Sequence, residues 1–150
     1  MAISAKYSFI NGLFAQGDAN SQFDYIVPGF IDIHCHGGGG KYFSDGATTA
    51  IDTHKSAGTR IQIASLVTQD LETLKTQIKS LKNQDIIGIH LEGPYISKKY
   101  CGAHDPELLR TPDIAEIKEL IAVGEGAIKM VTIAPELPGA VAVIDFLTSN

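Results

Sequence analysis

A parallel α/β fold, four βα units behind a short N-terminal β-hairpin segment, is what three features of this sequence predict, either as an open doubly wound sheet or as half of a (β/α)8 TIM-like barrel. Strand-like apolar runs alternate with helix-like periodic segments from Phe30 onward. The runs are too apolar to be half-exposed, which suits parallel strands covered on both faces. Charged and imidazole side chains stand where two of those runs end, and parallel α/β sheets build their sites at strand C-termini.

The elements follow in order. Tyr7–Phe14 (YSFINGLF) holds Asn11-Gly12 between apolar pairs, the signal of a tight hairpin. Phe30–His34 (FIDIH) is the first strand of the alternation, and the glycines Gly37–Gly40 follow it. Ala47–Ala57 is expected as a helix, with Ser44 or Asp45 as its cap and Gly58 as its stop. Ile61–Thr68 is the second strand. Leu71, Leu74, Ile78 and Leu81 then recur at helical steps behind a Thr68 cap. Ile86–Leu91 is the third strand, and a polar loop, Gly93–Arg110, follows. Thr111-Pro112 is expected to open a helix that buries Ile114, Ile117 and Ile121 and ends at Gly124. Ile128–Ala134 is the fourth strand, and Val141, Ile144 and Leu147 mark a last helix. The order is βαβαβαβα, with right-handed crossovers expected. An open doubly wound sheet is the alternative. Four repeats in 150 residues favour it on length, because a full barrel takes about 250 residues.

Composition narrows the classes of function. An apolar fraction of 44% with 19% charged residues excludes a disordered chain. A net charge of −5, with Lys98-Lys99 the only adjacent basic pair, excludes a nucleic-acid footprint. No apolar run approaches the roughly 18 residues of a membrane span. Met1–Asn20 lacks the basic and apolar regions of a secretory signal. Cys35 and Cys101 are too few for a disulfide framework, so two reduced thiols in a cytoplasmic protein are expected.

The chemistry concentrates on histidines and one carboxylate. His34 and His36 are two residues apart at the exit of a strand, which puts both on one face with Cα atoms roughly 7 Å apart. Two imidazoles so placed converge on one ion. Glu92 follows a strand as apolar as IIGIHL, where a carboxylate is costly unless it is paired or ligates a cation. His34, His36 and Glu92 at matching strand ends form a candidate ligand set. Imidazole with carboxylate suits zinc, iron, manganese or cobalt better than magnesium or calcium. His90 alternates in phase with Glu92 and is expected as a supporting or core histidine. His54 is expected to be structural or solvent-facing, and Cys35, opposite its neighbours, to pack into the helix layer. No serine-elbow, Walker or dinucleotide pattern occurs.

Pro28–Gly40 (PGFIDIHCHGGGG) resembles the opening strand of the amidohydrolase superfamily. Gly88–Tyr95 (GIHLEGPY), Gly102–Pro106 (GAHDP) and Val131–Glu136 (VTIAPE) narrow the resemblance to the N-acetylglucosamine-6-phosphate deacetylase family, over Tyr25 to Asn150. The resemblance implies metal-dependent hydrolysis of the acetamido group of a phosphorylated amino sugar. It implies that His34, His36 and Glu92 ligate one or two divalent ions, and that Gly102, Ala103 and His104 touch the sugar. Members of that family are complete barrels, with further metal-binding histidines and a catalytic aspartate on later strands. The resemblance therefore implies that residues 28–150 are the N-terminal half of such a barrel and 1–27 the remnant of a β-domain. No catalytic acid–base group is then expected in this chain, which would be inactive alone. Its expected partners are the phosphorylated amino sugar and either further copies of itself or a complementary C-terminal half. Two rivals stand beside this reading. One is another amide, cyclic-amide or imide hydrolase, against which the Gly102–His104 loop argues. The other is a half-barrel that binds metal or assembles without catalysis.

Overall fold

The computed structural model describes residues 3–149, in two compact units, Met1–Phe30 and Ile31–Asn150. In the first unit, strands β1 (Ala5–Ile10) and β2 (Leu13–Gln16) pair antiparallel around Asn11-Gly12. Both turn residues have positive φ, 54° and 78°, as a two-residue hairpin turn of the favoured hand requires. The expected hairpin is present. A third strand, β3 (Phe23–Ile26), was not expected; it joins the other side of β1 in parallel. Tyr7 stacks on Phe14 at 5.8 Å and on Tyr25 at 5.5 Å, tying the three strands together across one face.

The second unit is built on a four-stranded sheet in the order β4 (Phe30–Cys35), β7 (Thr59–Val67), β8 (Gly88–Glu92), β9 (Ile128–Thr132). The β7–β8 and β8–β9 pairs are parallel, as the alternation predicts. A small antiparallel pair, β5 (Gly37–Gly38) and β6 (Lys41–Tyr42), uses the glycine stretch to turn the chain back between β4 and helix α1 (Phe43–Ser56). Helices α2 (Leu71–Leu81), α3 (Ile114–Gly124) and α4 (Ala140–Ser149) complete the unit.

The core lies where periodicity places it in α2; in α3 Leu120 joins Ile117 while the expected Ile114 and Ile121 are only partly buried, and in α4 Val143 is buried while the expected Val141 is 65% exposed. Leu74, Ile78 and Leu81 of α2 and Ile117 and Leu120 of α3 are fully buried, with Ile89 and Leu91 of β8. Burial on both faces holds for β8 and most of β7, but not for β4 or β9. Ile31 is 64% and Ile33 55% exposed, because β4 has only β7 beside it in the sheet.

Three expected caps are corrected. Helix α1 has no side-chain cap, and non-helical backbone at Gly46 leaves Ser44 and Asp45 in an irregular first turn. Helix α2 is capped by Asp70, whose carboxylate accepts from the Thr73 N–H at 2.9 Å, and not by Thr68. Helix α3 is capped by Asp113, which accepts from the N–H groups of Ala115 and Glu116, and not by Thr111 ahead of Pro112. In α2 and α3 an aspartate two residues further along wins the orphan N–H groups from the expected threonine.

Candidate metal centre

Strand ends gather the site. Register aligns Val67 of β7 with Glu92 of β8, and Glu92 with Thr132 of β9. β4 delivers His34 at its end and His36 just beyond it. The Nε2 atoms of His34 and His36 lie 3.4 Å and 3.1 Å from the two oxygens of Glu92. One donor atom from each of the three residues lies within 4.8 Å of the others, and the Glu92 side chain is only 20% exposed. The candidate ligand set read from spacing is thus brought together.

The surroundings fix which nitrogen faces inward. His36 Nδ1 is 3.2 Å from the Ser65 carbonyl oxygen, which only accepts, so Nδ1 carries the proton and Nε2 presents its lone pair to the cluster. Such an outer hydrogen bond is how a metal-ligating imidazole is oriented. The Thr68 hydroxyl donates to the Glu92 backbone carbonyl at 3.1 Å, so its oxygen accepts from His104 Nδ1 at 3.0 Å. That leaves His104 Nε2 turned to Glu92, 3.8 Å from a carboxylate oxygen. Gly93 allows this close packing: a Cβ there would stand 2.2 Å from Thr68 Oγ1, and its φ of +92° suits glycine alone.

His90 holds the cluster from behind. Both ring nitrogens are engaged, Nδ1 with Ser65 Oγ at 2.9 Å and Nε2 with Thr132 Oγ1 at 2.8 Å. Its ring meets that of His34 edge to face at 4.9 Å. Burial, then the neighbouring His34, lowers its pKa to about 4. It is a neutral supporting histidine, as its phase with Glu92 predicts.

A cleft of about 880 Å³ opens over these strand ends, lined by His36, Glu92, Thr132 and the loop Tyr100–Asp105. Gly102, Ala103 and His104 all line it, so the loop shares one cleft with His36 and Glu92. Sequence reasoning missed Ser65, Thr68 and Thr132. Their available signal was position, since Thr68 and Thr132 stand at or just past the ends of β7 and β9, level with Glu92. Three imidazole nitrogens turned to one carboxylate, those of His36 and His104 oriented by outer hydrogen bonds, suit a divalent transition metal.

No protein-family model matches the chain. An N-acetylgalactosamine-6-phosphate deacetylase of Escherichia coli O157:H7 is 35% identical over 136 residues, covering 83% of this chain and 36% of that protein. The crystal structure of N-acetyl-D-glucosamine-6-phosphate deacetylase from Mycobacterium smegmatis superposes with a TM-score of 0.89 at 37% identity, over 98% of this chain and 51% of that one. A variant of that enzyme, in complex with N-acetyl-D-glucosamine-6-phosphate, superposes at 0.88 over 98% of this chain and 46% of its own. The chain thus spans about a third of the length of the curated relatives it matches and about half of the solved chains.

Proposed function

We propose that this chain, related in sequence and fold to part of the N-acetylhexosamine-6-phosphate deacetylases, belongs to a hydrolase that releases acetate from N-acetylglucosamine 6-phosphate. The observation that carries the reading is the cluster of His34 and His36 on Glu92 at the floor of a cleft whose loop holds Gly102, Ala103 and His104. His34, His36 and Glu92 are the proposed ligands of one or two divalent ions, of zinc, iron, manganese or cobalt. When bound, such a cation supplies Lewis acidity toward an amide carbonyl and makes a water acidic enough to ionise near neutral pH. The chain's own part is positional. The Ser65 carbonyl keeps the His36 tautomer, Thr68 aims His104 across the cleft, and Gly102 and Ala103 leave room for a sugar beside it.

The same reading makes residues 28–150 the N-terminal half of a (β/α)8 barrel and 1–27 part of a small β-domain. The relatives' names divide between the gluco and galacto sugars, so the test uses both epimers. The chain is mixed with metal and the C-terminal part of a relative, and acetate release from each 6-phosphate is measured. Release from the gluco substrate is expected. Release from the galacto epimer alone would correct the substrate, and release from neither would sink the deacetylase reading.

Association is the second consequence. Ile31 and Ile33 on the β4 edge are more than half exposed, and an exposed apolar edge strand is a template for pairing. The 150-residue chain is expected to run as a dimer or larger assembly in light scattering at micromolar concentration, or to take up a complementary C-terminal half. A stable monomer that also ignores the added half would count against the half-barrel.

A further inference from the structure

We propose that Asp32, Cys35 and His54 form a second transition-metal site, separate from the His34–His36–Glu92 cluster and independent of the deacetylase reading, that takes a zinc-class cation. The three donors come from two elements: Asp32 and Cys35 lie on β4, and His54 on α1. One ligand atom from each lies within 4.8 Å of the other two, and all three residues are partly buried.

The orientation of His54 is the telling feature. Its Nε2 is 2.9 Å from the Gly37 carbonyl oxygen and must donate to it. Gly38 makes room for the ring, since a Cβ there would stand 3.1 Å from it. In the neutral imidazole, Nδ1 is then a bare lone pair, and it faces Asp32 Oδ2 at 3.8 Å. The other Asp32 oxygen accepts the His34 backbone N–H at 3.1 Å, so Oδ2 is the oxygen left for a ligand. Two acceptors facing each other at that distance are too far apart for a hydrogen bond. They stand close to the roughly 3.3–3.7 Å that separates neighbouring ligands of a tetrahedral ion with metal–ligand distances of about 2.0–2.3 Å.

Cys35 completes the set. Its Sγ reaches the Ile63 carbonyl at 4.0 Å and shares a hydrogen bond with the Asp32 carboxylate, the contact a bound cation would replace. A cation entering between the three residues takes the sulfur as thiolate, releases its proton to solvent, and neutralises the Asp32 charge beside it. One sulfur, one imidazole nitrogen and one carboxylate oxygen favour zinc or cobalt over magnesium or calcium.

The sulfur gives the site a signature that the His34–His36–Glu92 cluster lacks. Cobalt(II) titrated anaerobically into the full reduced chain is expected to raise a thiolate-to-cobalt charge-transfer band in the near ultraviolet, saturating at one equivalent for this site. The band is expected to persist in Glu92→Gln and in Cys101→Ser, and to fall by at least about tenfold in Cys35→Ser and in His54→Gln at equal cobalt. No band in the wild-type chain, or one that survives Cys35→Ser or disappears with Cys101→Ser or Glu92→Gln, would overturn the proposal. Failure to release acetate alongside an intact band would instead remove the deacetylase reading and leave this site standing.

Discussion

Glu92→Ala and His36→Ala are each expected to lower divalent-metal occupancy of the His34–His36–Glu92 cluster by at least about tenfold, since loss of a mere orienting neighbour already weakens metal sites by that much. The reason is the small number of donors. Three side chains supply the cluster, and Glu92 alone faces both imidazoles, at 3.4 Å and 3.1 Å. Removing it leaves two imidazoles with nothing to counter the cation's charge. Removing His36 also takes away the imidazole that the Ser65 carbonyl holds in place. The measurement is elemental analysis after dialysis, made in a Cys35→Ser background so that only this cluster is counted. Occupancy equal to the parent in both variants would remove the ligand assignment.

How much of this was legible in the sequence depends on whether the signal was local. Asn11-Gly12 demands positive φ at both positions, and the hairpin follows from that alone. The stripe Leu71, Leu74, Ile78 and Leu81 needs only a helix to bury it, and three of the four are fully buried. His34, His36 and Glu92 could be grouped because strand ends in a parallel sheet lie side by side. The failures have a different origin. Thr68 and Asp70 are both competent N-caps, and spacing cannot rank them; Thr68 is lost to α2 because its hydroxyl already serves Glu92 and His104. The four residues of β3 carry too short an alternation to declare a strand, and pairing with β1 makes it one. Cys35 and His54 sit 19 positions apart in sequence, and nothing but the packing of α1 on the sheet brings them to Asp32.

The 150-residue chain alone is expected to leave N-acetylglucosamine 6-phosphate unhydrolysed, and to gain partial activity when a C-terminal half is supplied. Amide hydrolysis needs the attacking water to lose a proton and the leaving amine to gain one, through a group within hydrogen-bond reach of both. The ionisable groups nearest Glu92 are already engaged. Glu92 is engaged by His34 and His36, with His104 turned toward the same carboxylate. His90 spends both nitrogens on Ser65 and Thr132. Asp105 is exposed on the loop, and one of its oxygens accepts from the Glu107 N–H at 2.9 Å in a local turn. A positioned general acid–base group contributes about a hundred- to ten-thousand-fold, so its absence should leave turnover near the background of the uncatalysed reaction. Acetate release is followed with the metal-loaded chain alone, with the added half alone, and with the two mixed. Activity only in the mixture, lost again with Glu92→Ala, is the expected pattern. Robust turnover by the chain alone that Glu92→Ala abolishes would show that these residues already contain an acid–base group, and His104, oriented by Thr68 toward the reacting centre, would be the first to test.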